Sequence, residues 1–198
     1  LNPDQGFTDP KAVLDGARFI LIERIAENAE LLGALRNYLW KEAELHSQVA
    51  AGKEEIGSNY KDYFLFQEPI HKIPSHRALA LLRGRNEAIL QLNLKLPIEL
   101  EEVPLQMITD HLALTAPHTW LKETIRLSWR AKLHLSLSLE LINQMREAAE
   151  NEAIAVFARN LKDLLLASPA GEKAILGIDP GLRTGCKVAV VDRTGKLL

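Results

Sequence analysis

Two short apolar runs close to the end of the chain constrain its fold more than any other feature. Residues 174–179 are apolar except for the final acid, Asp179, and the turn-forming pair Pro180-Gly181 follows at once. Residues 186–191 form a second, mostly apolar run, which ends in a turn at 192–195. Runs of this length between Gly, Pro and Asp residues predict a β-hairpin.

A hairpin of two strands is marginally stable by itself in water. The segment 174–198 therefore either packs on the helices, pairs with another copy of the chain or stays disordered. Because the sequence stops at Leu198, directly after this hairpin, we expect the chain to be part of a longer protein.

The N-terminal quarter of the chain predicts helices. Asp9-Pro10 places an N-cap residue before a proline, which is a favourable start for a helix. From residue 12 to residue 49, apolar side chains recur every three or four positions, with a break near 30–33. The polar, glycine-containing stretch 52–60 predicts a loop.

The middle of the chain predicts a strand between helices. Pro74-Ser75 begins a helix with Ser75 as its N-cap, and Gly84 is a stop signal for that helix. Residues 88–96 alternate between apolar and polar side chains, which is typical of a half-buried strand. Residues 99–114 predict a short helix after this strand.

Two more helices are predicted at 119–133 and 138–166, the second with a sustained apolar stripe. Residues 169–173 predict a linker between a helical region, 1–168, and the hairpin at 174–198. The predicted fold class is mainly α: a multi-helical scaffold with one short β-strand near 88–96 and a C-terminal β-hairpin.

Composition excludes several classes of protein. The 198 residues are 47% hydrophobic, enough for a substantial core, and the net charge of −2 provides no global basic field. The single Cys186 excludes an intramolecular disulfide and a multi-cysteine metal site. No apolar stretch reaches the ~18 residues of a membrane span. We therefore expect a cytoplasmic protein without a membrane partner.

The near-neutral total charge hides a local basic segment. Residues 71–95 contain five basic residues and one acidic residue, whereas 1–70 contain seven basic and twelve acidic residues. Three further basic residues recur every four positions on the helix predicted at 119–133, and such a cluster could bind phosphates. The alternative is that these residues pair with the acidic segments around them. The candidate nucleic-acid-binding residues are Lys72, Arg77, Arg83, Arg85, Lys122, Arg126 and Arg130.

The candidate metal ligand is Asp179. Two-metal phosphoryl chemistry needs several converging carboxylates, and one acid on one strand cannot supply them. The alternative is that the Asp179 side chain caps the Pro180-Gly181 turn. Neither a metal-binding histidine spacing nor a nucleophile elbow nor a phosphate-binding glycine loop occurs. We therefore predict a chain without catalytic residues, cofactor or metal.

Several segments resemble one family of proteins. Residues 72–87 (KIPSHRALALLRGRNE), 155–166 and the early helix at 9–30 resemble the central region of the Tex family of bacterial transcription accessory proteins. Residues 177–187 (GIDPGLRTGCK) resemble the opening of that family's YqgF-like domain. The resemblance extends over essentially the whole chain in the same order.

The resemblance implies a fold and a function. Tex-like proteins are cytoplasmic and multi-domain, with a helical region, an RNase H-like YqgF domain, helix-hairpin-helix elements and an RNA-binding S1 domain. The chain would be a non-catalytic helical scaffold of a nucleic-acid-binding transcription factor, with the transcription machinery as a further partner. Two alternatives stay open: a metal-dependent RNase H-like nuclease or resolvase that uses Asp179, and a pure protein-interaction scaffold.

Overall fold

The computed structural model describes residues 9–181 and 185–198, and these residues confirm the mainly helical fold. The chain divides into two compact units, Leu1–Ile154 and Ala155–Leu198. The α-helices are α1 (Pro10–Ala26), α2 (Ala29–Glu42), α3 (Ser75–Asn86), α4 (Val103–His111), α5 (Thr119–Ser128) and α6 (His134–Leu165). The strands are β1 (Glu44–Val49), β2 (Leu65–Pro69), β3 (Leu90–Lys95), β4 (Ile175–Pro180) and β5 (Cys186–Val191).

A three-stranded antiparallel sheet of order β2-β1-β3 lies in the first unit. The strand predicted near 88–96 is confirmed as β3, whereas the prediction of helix for 44–49 is wrong. Leu45 and Ser47 occupy the buried positions of β1, and because Ser47 is polar the apolar alternation of a strand is interrupted. Backbone pairing with β2 and β3 on both edges overrides the local preference for helix.

The N-terminal helix begins and is interrupted at capping residues. The Asp9 carboxylate accepts a hydrogen bond from the amide of Ala12 at 2.8 Å, which confirms the predicted helix start. The interruption comes at Asn28 rather than at 30–33, and the Asn28 side-chain oxygen accepts from the amide of Leu31 at 2.9 Å. Each cap satisfies a backbone donor that a helix start leaves free.

α3 corrects two predictions. Ser75 is the first helical residue rather than the N-cap, and its hydroxyl donates to the carboxylate of Glu152. Gly84 is not a stop signal, because it lies inside the helix and is buried. A Cβ at Gly84 would come within 2.6 Å of Leu90 Cδ1 and 3.1 Å of Tyr60 Cδ1, so glycine is required there for close packing.

The chain is helical without interruption from residue 119 to residue 165. α5 continues into a π-helical segment, Trp129–Leu133, which continues into α6. The two predicted helices are therefore confirmed in type, but the predicted break between 133 and 138 is wrong. α4, at Val103–His111, is shorter than the predicted 99–114, with a separate 3₁₀ turn at Ile98–Leu100.

The core of the first unit lies between the sheet and the surrounding helices. Its contributors come from nearly every element, so the unit is one packed body rather than a row of independent hairpins. The fully buried side chains include Leu35, Leu39, Leu45, Ile70, Leu81, Ile108, Leu133, Leu137 and Leu141.

The second unit contains the predicted C-terminal hairpin, which is confirmed as β4 and β5. The strands pair antiparallel with Asp179 opposite Lys187, and the Asp192 carboxylate accepts from the amides of Thr194 and Lys196 in the following turn. The predicted linker at 169–173 lies between α6 and β4, and the domain boundary stays a prediction.

Candidate nucleic-acid interface

The seven candidate residues lie on four elements of the first unit. Lys72 is exposed in the 3₁₀ turn Ile70–Lys72, which precedes α3. α3 carries the next three candidates, α5 carries two, and the π-helical segment carries the last. These six residues are Arg77, Arg83 and Arg85, then Lys122 and Arg126, and finally Arg130.

Arg77 forms its contacts with β2 of the sheet. Its guanidinium donates to the Glu68 carboxylate on β2 at 2.6 Å, and it lies 5.8 Å from the ring centroid of Phe66. Because the Arg77 guanidinium already has an ion pair and an aromatic neighbour on β2, it links α3 to β2. For Arg77 the structure therefore agrees with the alternative of local pairing.

Arg83 lies beside α6. Together with Asn86, Glu87, Arg146 and Glu150 it lines a surface cavity of about 360 Å³. Arg146 pairs with Glu150 at 3.3 Å on the same helix, whereas Arg83 forms no ion pair within the described residues. Arg83 is exposed and carries an available charge.

Arg126 and Arg130 lie together in a larger depression, about 690 Å³ in volume. We call it the basic cleft. It brings together the end of β3, the residues just before and within α4, and the face of the continuous helix around the π-helical segment. Its lining residues are Lys95, Leu96, Glu101, Glu102, Leu105, Arg126, Trp129, Arg130 and His134.

The cations of the basic cleft outnumber its anions. Three basic side chains face two carboxylates, and the ion pair in the cleft joins Arg126 to Glu102 at 3.7 Å. These two side chains are 63% and 76% exposed, so the pair contributes only ~0–1 kcal/mol. In the part of the chain that the structure describes, no carboxylate pairs with Lys95 or Arg130.

Trp129 and His134 form the inner wall of the basic cleft. The rings meet edge to face, with 5.2 Å between their centroids, and Trp129 is only 7% exposed. Trp129 therefore packs in the core and offers no open face for stacking. Burial lowers the pKa of His134, and a hydrogen bond with the Leu94 backbone partly offsets this shift.

Sequence reasoning missed two members of this cleft. Lys95 belongs to the basic segment 71–95 but not to the candidate set, and His134 belongs to neither. The four-residue spacing of Arg126, Arg130 and His134 was the available signal for His134. Lys122 precedes Arg126 by the same spacing, but it is exposed and does not line the cleft.

Comparison with known proteins identifies the family. The model of the "Tex central region-like" family matches residues 1–157, and the model of the "Tex protein YqgF-like domain" matches residues 173–198. The chain belongs to the Tex family.

Named Tex relatives support this assignment. The chain is 54% identical over 98% of its length to the transcriptional accessory protein Tex of Neisseria gonorrhoeae and 51% identical over 100% to protein tex of Bordetella pertussis. It is also 26% identical over its full length to the human S1 RNA-binding domain-containing protein 1. The chain spans about a quarter of the length of its bacterial Tex relatives, 26% and 27% respectively.

The Tex family assignment makes Asp179 part of a YqgF-like segment. Its side chain is exposed, lies 4.0 Å from the ammonium of Lys187 on the neighbouring strand, and belongs to no cluster of three potential metal ligands among residues 9–181 and 185–198. The alternative, that the Asp179 side chain caps the Pro180-Gly181 turn, stays a prediction; residues 182–184, which follow that turn, lie outside the described residues. Among the described helices, none is long and apolar enough to cross a membrane.

Proposed function

We propose that this chain is the non-catalytic helical scaffold of a Tex-family transcription accessory protein that binds nucleic acid. Its exposed and half-buried basic residues on α3, α5 and the π-helical segment make auxiliary contacts with phosphates. Relatives named as transcription accessory proteins and as S1 RNA-binding domain-containing proteins support a partner of this class.

The observation that carries the contact role is the unpaired state of most candidate residues. Arg77 has a close ion pair and Arg126 a loose one. The other five candidates form no ion pair within the described residues, although the chain as a whole has more acidic than basic residues. A cation that is not neutralised by the protein can release counterions from a nucleic-acid backbone.

The experiment is a salt titration of binding, followed by the anisotropy of fluorescent single-stranded RNA and duplex DNA. We expect the parent chain to bind at low salt and to lose affinity as salt rises. Replacement of Arg83 and Arg85 by Glu should weaken binding and reduce the slope of log affinity against log salt by about 1 for each lost phosphate contact.

The control is a double variant with the same change in net charge. Lys61→Glu with Lys162→Glu reverses two exposed lysines, one on the 3₁₀ turn before β2 and one on α6. If the control and the α3 variant give equal slopes, Arg83 and Arg85 make no specific contribution. If the parent chain binds neither probe at low salt, the contact role is wrong.

A protein-interaction scaffold is the second candidate, and the second unit favours it. Beyond residue 154, α6 and the hairpin expose large apolar side chains, among them Phe157, Leu164, Ile178 and Val188. Exposed apolar groups of this size in a small unit are typical of surfaces that contact another protein or domain. Concentration-dependent self-association in sedimentation experiments, abolished by Phe157→Ser with Leu164→Ser, would support this candidate; a strictly monomeric chain would oppose it.

A further inference from the structure

The π-helical segment determines which side chains share the basic cleft. Four residues of an α-helix turn past a full circle by about 40°, because the α-helix has 3.6 residues per turn. From Arg126 to Arg130 the chain therefore drifts around the helix axis. The π-helical turn is wider and needs more than four residues for a full circle. Over the four residues from Arg130 to His134 the rotation around the helix axis is therefore less than a full turn, and this shortfall offsets the excess rotation between Arg126 and Arg130.

As a result, three side chains at four-residue spacing lie along one line of the helix and line the same cleft. In an uninterrupted α-helix the third would lie about 80° around the helix axis from the first. π-helical turns inside α-helices are frequent at functional sites. Here the turn brings two arginines and a histidine opposite Lys95, at the last position of β3.

The chemistry of the lining fits a phosphate group with an attached organic part. Arginine and lysine donate several hydrogen bonds to phosphate oxygens, and arginine can do so in bidentate geometry. Leu96 and Leu105 add half-buried apolar surface next to the cations. The volume of about 690 Å³ lies within the range of small-molecule sites, roughly 300–1,000 Å³.

Glu102 is the partner of Arg126 that an incoming phosphate would displace. It pairs with Arg126 at 3.7 Å, longer than a good charged hydrogen bond, and both side chains are mostly exposed. A phosphate that enters the cleft can therefore replace this carboxylate at little cost, while Lys95 and Arg130 need release from no partner in the described chain.

We propose that the basic cleft binds a phosphate group attached to a nucleoside, and that this phosphate replaces Glu102 as the partner of Arg126. The proposal deepens the proposed function and rests on it for the source of the phosphate, a bound nucleic-acid strand. The same chemistry would accept the phosphate of a free nucleotide. The experiment distinguishes these two sources.

The experiment is a calorimetric titration of the folded chain with inorganic phosphate and with AMP. Arg130→Gln should weaken AMP binding by at least about tenfold, the lower range for loss of hydrogen bonds to a charged group. Glu102→Gln should strengthen it, by up to about fivefold, because the competing exposed ion pair is gone. Improved binding cannot result from a misfolded variant, so this second variant keeps the test valid if Arg130→Gln fails to fold.

The matched control is Glu99→Gln. Glu99 is an exposed acid three residues before Glu102 and does not line the cleft, so its removal changes the net charge equally. If Glu99→Gln improves binding as much as Glu102→Gln, only the general charge matters and the proposal is overturned. An AMP titration of the parent chain without saturation also overturns it.

Competition between AMP and fluorescent RNA identifies the source. If AMP displaces the RNA and Arg130→Gln weakens both ligands, the phosphate belongs to the strand. If AMP binds with the expected variant effects while the chain binds neither RNA nor duplex DNA, the cleft binds free nucleotide, and only the proposed function fails. If RNA binds and neither AMP nor the cleft variants change its affinity, the cleft proposal fails and the proposed function stands.

Discussion

The two halves of α6 both carry apolar residues at helical spacing, but the burial of these residues is very different. In the first half the residues at helical spacing are buried, among them Leu137, Leu141 and Met145. In the second half apolar residues continue at the same spacing, but Phe157 and Leu164 are exposed. Apolar periodicity therefore indicates which face of a helix needs a cover, and not whether this chain provides that cover.

The two antiparallel sheets show the same contrast. β1 has hydrogen-bonded neighbours on both edges, and its residue Leu45 is fully buried. β4 and β5 pair only with each other among the described strands, and every residue of β4 is exposed. The same antiparallel pairing thus occurs with a buried strand in the first unit and with an exposed hairpin in the second.

The largest expected effect is a difference between two leucines of α6. Leu141 is 0% exposed and Leu164 is 75% exposed. Leu141→Ala should lower the free energy of unfolding by about 2–5 kcal/mol, because it removes buried surface and leaves a cavity. Leu164→Ala should change it by no more than about 0.5 kcal/mol. Urea denaturation followed by far-UV circular dichroism measures both values.

Equal losses for the two variants would break the comparison between the halves of α6. In that case the second half would be covered in solution, either by another copy of the chain or by the hairpin. Repeating the denaturation at tenfold lower protein concentration separates these two explanations, because only self-association depends on concentration.

A smaller effect is expected from two helical glycines of the first unit, with opposite signs. A Cβ at Gly84 would lie 2.8 Å from Leu90 Cγ, whereas a Cβ at Gly33 in α2 meets no atom within 4 Å. Gly84→Ala should destabilise by about 1–3 kcal/mol through overpacking. Gly33→Ala should stabilise by up to about 1 kcal/mol, because alanine has the higher helix propensity.

Thermal unfolding of the two glycine variants measures these changes in stability. A stabilised Gly84→Ala would show that Leu90 and Tyr60 can move away without loss. The interpretation of Gly84 as a close-packing position would then be wrong.

The sequence predicted what depends on local pattern and missed what depends on distant neighbours. The hairpin, β3 and most helices follow from alternation, capping and periodicity. β1 did not, because Ser47 interrupts the apolar alternation and only the pairing with β2 and β3 makes this segment a strand. Gly84 was misjudged for the same reason, since the side chains that exclude a Cβ come from elsewhere in the chain.

The candidate site shows the same limit. The four-residue spacing of Arg126 and Arg130 was visible in the sequence, and both line one cleft. The inclusion of Lys95 was not visible, because it requires the end of β3 to lie beside the π-helical segment. The exclusion of Arg77 was not visible either, since its partner Glu68 is on another element. A linear sequence gives the charges of a site but not their partners.

The smallest expected effect is a pH dependence of stability, which tests whether a half-buried histidine of the first unit is shielded from water. Burial lowers the pKa of His134 below its ordinary value of 6.5. At a pH between the lowered pKa of His134 in the folded chain and its pKa of about 6.5 in the unfolded chain, only the unfolded chain binds the proton. The stability of the folded chain therefore falls as the pH decreases through this window, and it is fully present above about pH 6.5. The neighbouring charges that can modify the effect are Lys95, Glu101, Glu102, Arg126 and Arg130.

Melting temperatures from pH 8 to pH 5 test this coupling. The parent chain should lose more stability toward pH 5 than His134→Gln, which cannot take up the proton. The control His76→Gln removes an exposed histidine of α3 that does not line the basic cleft. If His134→Gln and the parent lose stability equally, the imidazole is protonated as easily in the folded chain as in the unfolded one. Burial of the inner wall of the basic cleft would then have no net effect on the pKa of His134, and the contrast between the two units would not extend to this site.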